Sequence, residues 1–262
     1  MTKTTVVMPT YNERENLPLI AKAILELPAE DLNLLVVDDN SPDGTGQLAD
    51  SLMDQYPGRV AVLHRQEKNG LGPAYVAGFK QAISLGADYM VQMDADFSHQ
   101  PKYLLDLITK ANEGYDMVAG SRFAAGGSVD ESWPLFRKLL SWFANRVYVR
   151  VLLGIPLSDS TGGFRLWRRQ TLIGIDLDRV RSNGYVFQVE IAYLASRLGY
   201  RIAEIPIYFP DRQLGDSKMD ARIQIEAALR VWQVMYRHRG LNPNKRRTRL
   251  YTAPDAHEHG SV

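Results

Sequence analysis

The sequence predicts an α/β fold of the Rossmann-like type, a mainly parallel sheet with helices on both faces, built as a single domain. Three observations support this. Short β-rich runs alternate with helical patterns from Thr4 to Ala119. Most of those runs end in a cluster of acidic or other polar residues. The chain has 262 residues, 45% hydrophobic and 23% charged, which suits one large domain or one domain with an appendage.

The elements follow in order. Thr4 to Met8 reads as a strand, and Arg14 to Leu27 as a helix with Asn12 as its N-cap. Leu34 to Val37 is a buried strand, Gly46 to Tyr56 a helix and Val60 to His64 a third strand. A helix over Tyr75 to Leu85, a strand over Tyr89 to Met93, a helix over Lys102 to Glu113 and a strand over Asp116 to Ala119 complete the alternation. After Arg122 come a Gly-rich connection, AAGGSVDESW, and a long amphipathic segment from Pro134 to Leu153. The stretches TGGFRLWRRQ, SNGYVFQVEIAYLASRLG and RIAEIPIYF follow, and then a helical pattern from Asp220 to Arg239. Residues 1–240 are expected to form the domain, and 241–262 a basic, disordered tail.

Composition narrows the function. A formal net charge of +1 carries no nucleic-acid signature. Cysteine is absent, which rules out disulfides and thiolate metal sites and fits a reducing cytoplasm. The N-terminus has no apolar core or cleavage site of a signal peptide. No stretch reaches the roughly 18 to 20 apolar residues of a spanning helix. A membrane role would therefore be peripheral, on the cytoplasmic face.

In a parallel α/β sheet the ligand sits at the carboxyl ends of the strands. Four polar clusters converge there: PTYNE, DDNSPDG, DADFSH and GSR. Asp94-Ala95-Asp96 is the strongest. Alternate residues of an extended chain point the same way, so both carboxylates can meet one hard divalent cation. Asp39 can hold ribose hydroxyls or a base edge, or, with Asp38, brace the turn that Asn-Ser-Pro-Asp-Gly predicts. Tyr11 can stack on a base, and Glu13 can accept from ribose or base or favour the first turn of the helix. Gly70-Leu71-Gly72-Pro73 lacks the third glycine of a dinucleotide fingerprint and reads as a loop opening a helix. Arg212 and Lys218 flank a Gly-containing loop that can bring positive charge to a pyrophosphate.

MPTYNERENL, VVDDNSPDGT, the DAD with its SHQP continuation, GSR and DRQLGDSK together resemble the dolichol- or polyprenol-phosphate mannose synthases of glycosyltransferase family 2. The likeness runs from about Val6 to about Arg222. It implies a GT-A fold, GDP-mannose as donor, a polyprenyl or dolichyl monophosphate as acceptor, Mg²⁺ or Mn²⁺ as cofactor, and inversion at the anomeric carbon. It places Pro9, Tyr11, Glu13, Val37, Asp39, Asp94, Ala95, Asp96, Arg212 and Lys218 at the donor. Asp94 and Asp96 would hold the metal, with Ser98 standing where some relatives carry a glutamine ligand. Arg122, Arg137 and Ser141 match positions that hold the acceptor phosphate, so Asp96 and Arg122 are the expected catalytic residues. Arg137 and Ser141 lie four apart, on one face of a predicted helix.

A phosphate monoester is largely a dianion at neutral pH and needs no base to become a nucleophile. Arginines and a metal are therefore expected, and no essential carboxylate base. A UDP-glucose-dependent relative with the same fold is the nearest alternative. A nucleotidyltransferase would need a Gly-rich basic loop where PTYNE stands, and a non-catalytic binder would not need both charged sets. Membrane contact is expected through Pro134 to Leu153, through the basic stretch Arg237 to Arg249, or through a membrane-embedded partner protein.

Overall fold

Strands form where the apolar runs predict them: β1 (Thr4–Thr10), β2 (Leu32–Asp38), β3 (Val60–His64), β4 (Tyr89–Gln92) and β5 (Met117–Ser121). The computed structural model describes residues 2–29, 31–210 and 221–249, the side chains of Arg137 and of residues 221–227 excepted. Further along come β6 (Ser128–Val129), β7 (Arg165–Arg168), β8 (Ile202–Pro206) and β9 (Tyr208–Phe209). The main sheet has seven strands in the order β3-β2-β1-β4-β7-β5-β8. All of its pairings are parallel except those of β7, which runs antiparallel to both β4 and β5. β6 and β9 form a separate two-stranded ribbon.

Side chains alternate across the strands and build two cores. Val6, Met8, Leu34 and Val36 pack under α1 (Leu17–Leu25), α2 (Thr45–Gln55) and α4 (Tyr103–Asn112). Val7, Leu35 and Val37 face α3 (Leu71–Ser84), α7 (Arg169–Ile175), α8 (Gly184–Arg197) and α9 (Ala221–His238). On that side α3 lies directly on the sheet. A Cβ on Gly78 would stand 2.4 Å from Val7 Cγ1 and 2.9 Å from Val37 Cγ2, so only glycine permits this approach.

Two expectations need correction. Asn12 is not a helix cap. It adopts a positive φ of 61° and donates its N–H to Ser41 Oγ, while α1 begins later, after Asn16, with Pro18 in its first turn. Nor does the chain leave the body at 241. Arg246 donates to the carbonyls of Leu198 and Gly199, and Arg247 Nε donates to Asp176. Residues 250–262 lie outside the described residues.

The amphipathic stretch forms one continuous helical run: α5 (Leu135–Trp142), a π-helical turn (Phe143–Val149) and α6 (Arg150–Leu153), ended by Gly154 at φ 64°. Tyr148 in the π turn donates to the Ala228 carbonyl of α9.

Glu190 on α8 ties the far side together. Its buried carboxylate accepts from the N–H groups of Arg181 and Ser182, from Arg237 and from His238. Burial alone would raise this carboxyl, but the His238 and backbone hydrogen bonds bring it to about 2. A depressed carboxyl stabilises the fold above its unfolded value and loses that contribution as pH falls towards the folded one. Glu190→Gln should therefore cost about 2 kcal/mol at pH 7. The difference from wild type should shrink as pH falls from 4.5 towards 2, read by urea unfolding across that range.

Candidate active site

Six parallel strands end on one edge of the sheet, and five of them, β1 to β5, deliver polar residues there. Thr10 of β1 faces Asp38 of β2, which faces His64 of β3. Because β7 is antiparallel, its first residue, Arg165, lies at the same edge, opposite Gln92 and Ala119. The loop that precedes β7 thus enters between the ends of β4 and β5.

At one side of the edge the two neighbouring aspartates have separate roles. Asp38 serves the turn, accepting from Thr10 Oγ1 at 3.2 Å, Ser41 Oγ at 2.6 Å and Ser41 N at 3.1 Å. Asp39 pairs with Arg65, from the end of β3. Burial raises the Asp39 carboxyl above its ordinary value, and Arg65 opposes the rise without cancelling it. Tyr11 is exposed, with the Lys68 ammonium 3.5 Å from its ring centre. Glu13 takes a hydrogen bond from Asn16 at 2.9 Å and is anchored through its own N–H on Thr45 Oγ1.

In the middle, the DAD makes a turn with Phe97 at φ 61°. Asp94 Oδ1 accepts from the buried Tyr75 hydroxyl at 3.0 Å, and Asp94 N–H donates to His99 Nδ1 at 3.0 Å. Asp96 Oδ1 accepts from Ser98 N. Burial, and next the Asp94 charge, push the Tyr75 phenol well above its usual range, so it remains a donor. Among the described residues no cluster of three or more His, Cys, Asp or Glu side chains surrounds a single point. Two aspartates alone fit a hard cation that fills its shell with water and phosphate oxygens.

On the far side Arg122 is locked. Its Nε and Nη2 meet Asp159 at 2.6 and 2.7 Å, and Nη2 also reaches Thr161 Oγ1 at 3.1 Å. Burial would raise the Asp159 carboxyl, but Arg122 holds it below the usual carboxylate range. Glu204 accepts from the N–H groups of Ser158 and Asp159. Beneath them Arg165 is fully buried and donates to the carbonyls of Gln188 and Ser160. Desolvation lowers its guanidinium to about 10 despite Asp159 and Glu204 nearby. Asn145 of the π turn joins this group, donating to Thr161 Oγ1 and accepting from Thr161 N.

A polar cluster of Tyr11, Glu13 and Asp39, a paired-aspartate turn and a fixed arginine thus share one sheet edge. Residues 5–175 match the family model described as Glycosyl transferase family 2. The chain belongs to glycosyltransferase family 2. It is 47% identical over 237 residues, 90% of this chain and 96% of the relative, to the undecaprenyl-phosphate mannosyltransferase of Micrococcus luteus. It is 46% identical over 229 residues, 87% and 85% of the two chains, to the polyprenol monophosphomannose synthase of Mycolicibacterium smegmatis. Crystal structures of glucosyl-3-phosphoglycerate synthase from Mycobacterium tuberculosis share the fold. The complex with Mn²⁺, UDP and phosphoglyceric acid superposes with a TM-score of 0.63 at 17% identity, over 92% of this chain and 79% of that one. The complex with Mg²⁺ and UDP gives 0.63 at 18%, over 90% and 79%. The fold is GT-A, and the protein is a glycosyltransferase.

In this family 2 enzyme Pro9, Tyr11, Glu13, Asp39, Asp94, Ala95, Asp96, Ser98 and Arg122 lie at or just beyond the ends of β1, β2, β4 and β5. The Val37 side chain is fully buried against α3. Ser141 lies on α5 with its carbonyl held by Asn145. The Arg137 side chain, Arg212 and Lys218 lie outside the described residues. Sequence reasoning missed Arg65, Lys68, Tyr75, His99, Asn145, Asp159 and Arg165. His99 had the clearest signal, because it sits inside the DADFSH cluster.

Asp159 compensates two buried guanidinium groups. Asp159→Ala should destabilise the fold by about 3–5 kcal/mol. A double-mutant cycle with Arg122→Ala, read by denaturant unfolding, should give a coupling of at least about 1 kcal/mol.

Proposed function

We propose that this glycosyltransferase moves mannose from GDP-mannose onto the phosphate of a polyprenyl monophosphate, with inversion, and works peripherally on the cytoplasmic face of a membrane. The observation that carries the reading is 47% identity over 90% of the chain to a relative named for undecaprenyl-phosphate mannosyl transfer. The edge chemistry agrees with it.

In this reading Tyr11, Glu13 and Asp39 hold the nucleoside, with Pro9, Val37 and Ala95 shaping the donor pocket. Asp94 and Asp96 would hold Mg²⁺ or Mn²⁺, which when bound neutralises pyrophosphate charge as GDP leaves, with Ser98 as a further ligand directly or through water. Arg212 and Lys218 add positive charge at the same leaving group. Arg122, Arg137 and Ser141 receive the acceptor phosphate. That phosphate is already anionic, so the protein positions it and disperses charge and needs no base.

The acceptor is a lipid, and no helix among the described residues is long and apolar enough to cross a membrane. α5 and the π turn expose Leu135, Phe136, Leu139, Trp142 and Phe143 beside the acceptor loop. An interfacial helix uses such a face. The basic stretch through Arg249, or a membrane-embedded partner, can add to this contact.

A donor panel tests the chemistry. GDP-mannose with a short polyprenyl phosphate should yield the mannosyl phospholipid by mass spectrometry, and UDP-glucose should yield little. Efficient use of UDP-glucose instead would overturn the assignment. Asp96→Ala should lower turnover on the order of 10²–10³-fold with the fold intact, and wild-type turnover by that variant in EDTA would remove the metal from the mechanism.

Vesicle flotation tests the surface. Each fully buried apolar side chain contributes about 1.5–3 kcal/mol. Phe136→Ser with Phe143→Ser should therefore cut binding to anionic vesicles at least about tenfold. Salt-sensitive binding that survives this change but is lost on truncation after Arg237 would move the contact to the basic stretch. An absence of flotation at any composition would leave a partner protein.

A further inference from the structure

The structure assigns Tyr75 and His99 as the residues that position Asp94 as a metal ligand, one gripping its carboxylate and the other its backbone. The assignment rests on the metal reading of Asp94 proposed above and names the machinery behind it. The Tyr75 hydroxyl donates to Asp94 Oδ1 at 3.0 Å, which leaves Oδ2 as the unshared oxygen of that hydrogen bond. His99 Nδ1 accepts from Asp94 N–H, so the ring holds its proton on Nε2 and stays uncharged in this arrangement. Its Nδ1 lies 4.0 Å from Asp94 Oδ2. Asp94 is thus fixed at two points by neutral groups, and its negative charge remains for a cation.

Both residues are placed by rigid surroundings. The Tyr75 ring is fully buried, parallel to Phe187 (5.8 Å between centres, 2° between planes) and near Phe79 (5.9 Å). Tyr75 sits in the first turns of α3, and that end of the helix is pinned from outside. Asn183 Oδ1 accepts from Gly72 N–H, and Asn183 Nδ2 donates to the Asn69 carbonyl. A Cβ on Gly72 would stand 2.6 Å from the Ser182 carbonyl, so the Gly-Leu-Gly-Pro start of α3 is shaped for this docking. That gives a role to a motif that resembles a phosphate loop but cannot complete one. His99 is buried, stacked on Phe164 at 5.0 Å and 12° and met edge-on by Phe209 at 5.9 Å and 69°. The left-handed backbone of Phe97 folds the chain back so that His99 reaches a residue five positions earlier.

Hydrogen-bonded partners of metal ligands commonly control affinity about 10–100-fold by fixing ligand orientation. Tyr75→Phe removes one hydroxyl and keeps the ring stack. His99→Phe keeps a ring against Phe164 and removes the acceptor. Calorimetry would measure Mn²⁺ binding at saturating GDP, and GDP binding in EDTA, for the full-length protein and both variants. The expected result is a Mn²⁺ Kd at least about tenfold weaker in each variant, with metal-free GDP affinity unchanged. A merely structural defect would weaken both measurements together, and that outcome overturns the assignment. A wild-type Mn²⁺ Kd in Tyr75→Phe, within twofold, also overturns it while leaving the metal reading intact. If wild-type protein itself shows no coupling between Mn²⁺ and GDP, the metal reading falls first and this inference with it.

Discussion

One strand runs against the rest of the sheet, and the active edge is organised around the consequence. β7 pairs antiparallel with β4 and β5, so its first residue, Arg165, lies where its neighbours end. A guanidinium cannot be buried there without compensation. The loop before it supplies that: the Ser160 carbonyl directly, and Asp159 from nearby. Asp159 then has enough hydrogen-bonding capacity to take Arg122 in a two-pronged pair, while Glu204 secures the Asp159 backbone. The charges alternate, Arg122, Asp159, Arg165 and Glu204, from the residue just after β5 through the loop to β7 and β8. Such a group contributes modestly to stability because its desolvation cost is large, but it fixes geometry, since removing any member strands a buried charge. This part of the sheet edge is therefore rigid.

The aspartates of the edge are distinguished by what they already touch. Asp38 is saturated by hydroxyls and a backbone N–H and is a structural brace. Asp39 has a cation in Arg65, and burial still raises its carboxyl. A carboxylate so placed suits hydrogen bonding to a nucleoside better than holding a divalent ion, because its charge is partly matched. Asp94 meets a phenol and a neutral imidazole. Its charge is oriented without being neutralised, which is the condition a metal ligand needs. Identical side chains thus diverge in role through their partners.

Much of this was legible in the sequence, and for a clear reason. A parallel strand buried on both faces is a continuous apolar run, and a functional one ends in polar residues, so β1, β2 and β4 with their ligand-edge residues stand out. β7 does not. Its four residues, Arg-Leu-Trp-Arg, have too little apolar length to declare a strand, and orientation within a sheet is set by neighbours far away in the chain. Asn12 was misread because an asparagine before a helical pattern resembles a cap, whereas here it takes a left-handed conformation within the turn. The basic tail looked free because its charges suggest solvent, yet Arg246 and Arg247 find carbonyls and a carboxylate on the body. Tyr75 and Asp159 were invisible for the same reason: each acts through a partner 19 or 37 residues away.

The locked state of Arg122 also constrains the acceptor role proposed for it. A free arginine offers its planar fork to a phosphate in a bidentate contact. In Arg122 the fork made by Nε and Nη2 is taken by Asp159 and Thr161, and the ring of Phe209 lies 5.2 Å from the guanidinium carbon. Only the Nη1 side remains for a ligand among these contacts. In the proposed acceptor role Arg122 would act as a fixed positive surface, partly offset by Asp159, and would not follow a moving phosphate. For the proposed phosphate nucleophile, which carries its own charge, this would be an advantage. A mobile, fully charged clamp would stabilise the phosphate dianion in the ground state and raise the barrier to its attack. A rigid, partly neutralised one would hold position with less charge quenching, and positioning is what the proposed transfer would require.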